Sequence, residues 1–170
     1  MSINKAMIEP FNAQIKSEFG ASAQYIAIAA HFDDLSLIEL AKFFYRQSEE
    51  ERTHAMKFIH FMLETGVKPT IPGIPALKND FDSPADAIQF ALDQESMVTD
   101  QINNLVSLSI THADHSSNNF LQWFVTEQVE EMDTMSTLLQ TIKLAGDNLL
   151  LVEDFVRRNP QHAGEALAAE

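Results

Sequence analysis

The stretch SEEERTHAMKF, Ser48 to Phe58, decides how this chain is read. On a helix, Glu51 and His54 stand one turn apart on one face. That face also carries Leu37, Leu40, Phe44, Gln47, Phe58 and Phe61, so an acid and an imidazole occupy an apolar stripe where an unpaired charge is costly. Thirty-three residues before Glu51 stands Glu18, within KSEFGASAQY (Lys16 to Tyr25). The arrangement returns 77 residues on, with Glu95 in ALDQES and then Gln128 and Glu131 in WFVTEQVEEM, the Glu again 33 residues before its i, i+3 pair. Even Glu50 recurs, as Glu127. A lone Glu followed by an i, i+3 pair, given twice, is what a four-helix bundle needs to hold two metal ions in its core.

Periodicity around these residues predicts an all-α chain. The first helix, about residues 5–33, presents Phe11, Ile15, Glu18, Ser22, Tyr25, Ala29 and Phe32 at helical spacing. Ser36, with Glu39 three residues on, reads as the N-cap and capping box of a second helix over 37–65. Gly66 ends it as a C′ residue. Val67 to Asp82 then holds Pro69, Pro72, Gly73 and Pro75, which oppose helix. Ser83-Pro84 starts a third helix over 84–112, with Ile88, Leu92, Glu95, Thr99, Ile102 and Val106 on its core face. The fourth helix is expected at 117–145, closed by Gly146. Asp147 is expected to cap a short fifth at 148–158, leaving a tail at 159–170 of one single domain, 1–170.

Helices of about 28 residues are ~42 Å long. The short turns make the first two helices, and the last two long ones, antiparallel pairs. The ~16-residue connection between the pairs reaches about 50 Å when extended, enough to run the bundle's length and leave helices two and three parallel. Ile71, Ile74 and Leu77 give this crossover apolar groups to set against the bundle or a neighbour. An approximate two-fold axis then brings both ligand sets to one height.

No Lys or Arg lies on those core faces, and Arg46 and Arg52 fall off the stripe, so the balancing cations come from outside the chain. Oxygen donors with one imidazole and no sulfur favour iron or manganese. Glu51 is the natural bridge between an ion on Glu18 and His54 and a second on Glu95. Gln128 in place of an acid makes the second position looser. Glu50, Glu127, Glu130 and Glu131 form a further acidic group, read either as a solvated face or as a third ion position. Tyr25 reads as core packing or as a donor of an electron or hydrogen bond.

The net charge of −14 argues against nucleic acid as a partner and favours cations. The absence of cysteine excludes disulfides, zinc-thiolate sites and iron–sulfur clusters, and fits a cytoplasmic setting. Met1 to Pro10 shows no secretory pattern, and no uncharged apolar run has the ~18–20 residues that span a bilayer.

The four quoted segments together resemble the bacterial non-haem ferritins over essentially the whole chain. The resemblance implies a ferritin-like four-helix bundle with a long crossover and a short C-terminal helix. It implies ferroxidase ligands at Glu18, Glu51, His54 and Glu95, with Gln128 at the second iron and Tyr25 and Trp123 beside the centre. A third iron would lie at Glu50, Glu127, Glu130 and Glu131. The implied activity is oxidation of Fe(II) by O2 or H2O2 and storage of ferric mineral inside a 24-subunit homo-oligomeric cage. Arg52, where haem-binding relatives carry Met, and Gln128 with Glu131, where they repeat Glu-x-x-His, point to no haem. The resemblance places the fifth helix, rich in Leu and Val, at a subunit contact on the four-fold axis. His112, Asp114 and His115 are expected to be turn residues, with an iron-entry channel as the alternative. Two rivals share the site: a di-iron enzyme without mineral, and a cage subunit storing iron oxidised elsewhere.

Overall fold

The computed structural model describes residues 3–159, so the expected tail, apart from Asn159, lies outside the described residues. Five helices follow in order: α1 (Lys5–Asp34), α2 (Ile38–Glu64), α3 (Pro84–Thr111), α4 (His115–Ala145) and α5 (Leu149–Arg158). α1 packs along α2 and α3 along α4, and α5 lies across the ends of α2 and α4.

The crossover joins the two hairpins as its length required. Thr70 N donates to Asn12 Oδ1 at 2.7 Å. Lys78 N then donates to Gln24 Oε1 at 2.9 Å, and Gln24 Nε2 returns a bond to Lys78 O at 2.7 Å. Phe81 reaches the ring of His31, 5.2 Å away. The segment thus ascends beside α1 from its first third to its end, which makes α2 and α3 parallel. Gly20 allows this approach, because a Cβ there would come within 3.1 Å of Pro75 Cγ. Leu77 is half-buried, whereas Ile71 and Ile74 stay 63% and 70% exposed.

Helix ends show where local chemistry decided the boundaries. Ser83 accepts from Asp86 N with Pro84 behind it, as expected, and Gly66 takes φ +80° after α2. Ser36 is not a cap: it adopts φ +60° in the turn, and Leu37 precedes the helix without a side-chain cap bond. The orphan amides of α2 are satisfied from elsewhere. Glu153 of α5 accepts from Glu39 N at 2.8 Å and Leu40 N at 2.9 Å. Nor does Asp147 cap α5, since Asn148 holds that place and makes no side-chain bond. α4 begins at His115, two residues earlier than its periodicity suggested, because Asp114 caps it by accepting from Ser117 N at 3.1 Å. The same carboxylate takes Asn4 N at 2.8 Å and the hydroxyls of Ser116 and Ser117, so it is fully engaged in the turn.

Two apolar clusters fill the bundle. One gathers Tyr25, Phe32, Phe43, Phe44, Ile88 and Met135 near α5; the other gathers Phe11, Ile15, Phe58, Ile102, Leu121 and Phe124. Between them lies a layer of buried polar side chains.

Candidate metal centre

The polar layer contains all six residues that the repeat singled out. Glu18 comes from α1, Glu51 and His54 from α2, Glu95 from α3, and Gln128 and Glu131 from α4; each is no more than 5% exposed. Helical spacing explains this, because each residue continues an apolar stripe whose other members pack the two clusters.

Two groups of ligand atoms converge. Glu18, Glu51 and His54 place one donor atom each within 4.8 Å of one another, and so do His54, Glu127 and Glu131. His54 belongs to both. Its Nδ1 is 3.4 Å from Glu51 Oε2, and its Nε2 is 3.6 Å from Glu127 Oε1. Glu18 Oε2 and Glu51 Oε2 are buried without a hydrogen bond. Such carboxylate oxygens, buried without a hydrogen bond and with no Lys or Arg among them, suit a divalent cation. Iron fits this set of oxygens and one imidazole.

The α3 side is arranged differently. Tyr25 Oη donates to Glu95 Oε1, while Gln128 Nε2 approaches Glu95 Oε2 at 3.2 Å and Thr99 Oγ1 at 3.2 Å. Both Glu95 oxygens are therefore already held by neutral donors, and Glu95 joins neither three-residue group among the described residues. Glu50 is half-buried beside Gln47, and Glu130 is exposed and in neither group. Trp123 lies against His54, ring centres 5.4 Å apart, with Lys57 Nζ over its ring, 4.1 Å from the centre.

Burial governs the protonation of these groups. It raises Glu18 well above the usual carboxylate range, with Glu51 adding to the effect, and raises Glu131 likewise, helped by Glu95 and Glu51. Glu95 is raised by burial despite the bonds from Tyr25 and Gln128. Glu50 is pushed by burial to about 8. Burial opposes charge on His54, but Glu51, Glu127 and Glu18 outweigh it and hold the imidazole above its ordinary value. The Tyr25 hydroxyl, raised by burial and then by Glu95, remains a proton donor.

Two buried amides were not singled out from the sequence. Gln14 Nε2 donates to Glu18 Oε1 at 2.8 Å, and Gln47 Nε2 donates to Glu50 Oε2. Each precedes a buried Glu of the centre by four residues, Gln14 before Glu18 and Gln47 before Glu51. That shared offset on an apolar stripe was the available signal.

With this geometry in hand, comparison with known proteins gives a consistent answer. The ferritin-like domain model matches residues 8–145. A ferritin BfrB of Mycolicibacterium smegmatis is 50% identical over 151 residues, covering 89% of this chain and 83% of that protein. A bacterial non-heme ferritin of Staphylococcus haemolyticus is 34% identical over 146 residues, covering 86% and 88%. Among solved structures, an open pore ferritin of Archaeoglobus fulgidus superposes with a TM-score of 0.89 at 28% identity, covering 97% of this chain and all (100%) of that one. A bundle with a polar, carboxylate-rich layer of this kind defines a ferritin-like protein, and the chain belongs to the ferritin family.

Proposed function

We propose that this protein is an iron-storing ferroxidase of the cytoplasm. Its substrates are Fe(II) and O2 or H2O2, and its product is ferric mineral kept inside a 24-subunit cage. The observation that carries this reading is the pair of buried carboxylate oxygens on Glu18 and Glu51 that make no hydrogen bond and converge with His54. They line a buried pocket in which, among the described residues, His54 is the one basic group within reach. Iron storage follows from membership of the ferritin family, and the cage is part of the proposed reading.

In this reading Glu18 and His54 hold one Fe(II), Glu51 bridges, and Glu95 with Gln128 receives the second. Gln14 keeps one oxygen of Glu18 turned away, so the other faces the ion. The Tyr25 hydroxyl and the Gln128 amide orient Glu95. Two Fe(II) supply two electrons, which reduce O2 to peroxide or H2O2 to water. Glu50, Glu127, Glu130 and Glu131 then form an acidic path by which ferric ions leave. Glu127 and Glu131, grouped with His54, are its inner end and Glu130, exposed, its outer end. Tyr25, buried against Glu95, is placed to give an electron as well as a hydrogen bond.

Anaerobic Fe(II) loading followed by oxygen, with ferric absorbance recorded, tests the proposal. The expected result is a fast phase limited to a few irons per subunit, then slower growth of a soluble mineral. Uptake that saturates at two irons per subunit without mineral would show a di-iron oxidase instead. Fast oxidation that survives Glu51→Ala and His54→Ala would remove the site from the chemistry.

A further inference from the structure

Gln47 stands one turn before Glu51 on the buried face of α2 and is 1% exposed. Its amide nitrogen donates to Glu50 Oε2, while its carbonyl oxygen, also buried, accepts no hydrogen bond. A buried amide left half unpaired is a net liability to the fold. Something other than stability therefore accounts for an amide at this position.

Glu50 supplies the reason. It lies one residue off the core stripe, between exposed Glu49 and buried Glu51. A carboxylate there would ordinarily extend to water. The bond from Gln47 keeps it half-buried instead, one helical turn before His54, with Arg46, Glu51 and Glu127 also within electrostatic reach and Glu131 in turn feeling it. His54, Glu51, Glu127 and Glu131 are members of the two ligand groups that share His54.

We propose that Gln47 is a positioning residue that holds the Glu50 carboxylate between the Glu18–Glu51–His54 group and the His54–Glu127–Glu131 group, giving a divalent ion a continuous line of carboxylate oxygens between them. This rests on the reading of Glu50 as part of an ion path. A glutamine retained for packing alone makes the opposite prediction, since an apolar side chain of similar size would serve at least as well and would remove the orphan carbonyl.

The test is titration of the metal-free, full-length protein with Co(II), following visible absorption and equilibrium dialysis. Gln47→Leu, Gln47→Met and Glu50→Gln are compared with the native chain. Both Gln47 variants are expected to keep the first, tight Co(II) with its spectrum unchanged. Their weaker class of ions is expected to lose at least tenfold in affinity, while the thermal midpoint of the metal-free protein stays level or rises. Loss of binding without loss of stability is what a packing role cannot produce. Met, unbranched and equal in length, carries the test should Leu fail to fold. Weaker-class binding at native strength in both Gln47 variants, with Glu50→Gln impaired, overturns the role of Gln47 alone. Native binding in Glu50→Gln as well overturns the ion path on which it rests.

Discussion

At the scale of single residues, the centre is a place where folding and function pull apart. Glu18, Glu95 and Glu131 are nearly fully buried, and burial makes their ionised forms costly. Groups whose folded pKa is raised bind protons more tightly when folded. Their contribution to stability is complete below the unfolded value and is lost as pH rises through the folded one. For Glu50 that window runs from near 4.5 to about 8, and Glu18, Glu131 and His54 act in the same direction. The metal-free protein is therefore expected to lose stability between pH 5.5 and pH 8, measured by urea unfolding, and saturating Co(II) is expected to flatten that slope. A cation must also displace the bound protons. Calorimetry in two buffers of different ionisation enthalpy is expected to show proton release on Co(II) binding, and apparent affinity that climbs with pH. For Glu51→Gln, which leaves an amide where the reading needs a carboxylate, we expect at least a tenfold loss in the fast rate of ferric absorbance growth.

The elements show how much of this could be read in advance. Stripes at 3.6-residue spacing predicted the burial of Phe11, Ile15, Tyr25, Phe44 and Phe58 because one side of each helix must face the core, whatever its neighbours are. The internal repeat placed Glu18 with Glu51 and His54 for the same reason. What stayed illegible depends on contacts distant in sequence. The cap of α2 is Glu153, 114 residues from the Glu39 amide that it accepts, whereas the local capping-box pattern pointed to Ser36. That residue instead closes the turn at φ +60°. Gln14 and Gln47 were passed over because an amide on a stripe does not reveal whether it will meet a carboxylate. Glu153→Ala is expected to cost ~1 kcal/mol, the usual worth of a lost cap, seen as a lower unfolding midpoint with faster hydrogen exchange at the Glu39 and Leu40 amides. Gly20→Val should push the crossover off α1, and limited proteolysis between Val67 and Asp82 is expected to accelerate.

For the molecule as a whole, the exposed apolar groups are the feature that a lone bundle does not account for. α5 buries Val152 and Val156 against the bundle but leaves Leu150 and Leu151 75% and 57% exposed, with Leu144 nearby in sequence at 88%. Contact with further copies of the chain would cover them. If the proposed cage forms through this face, replacing Leu150 and Leu151 together by Asp is expected to shift sedimentation to smaller species, while Co(II) binding within each subunit persists. The subunit count comes from the resemblance to ferritins alone, because apolar leucines announce an interface without saying how many subunits share it.

The shared imidazole imposes an order on events in time. A neutral histidine has one lone pair to give, and its other nitrogen carries a proton. Because Nδ1 faces Glu51 and Nε2 faces Glu127, the two groups cannot both draw on that lone pair at once. On the proposed ion path, His54 can therefore serve an ion in only one of the two groups at a time.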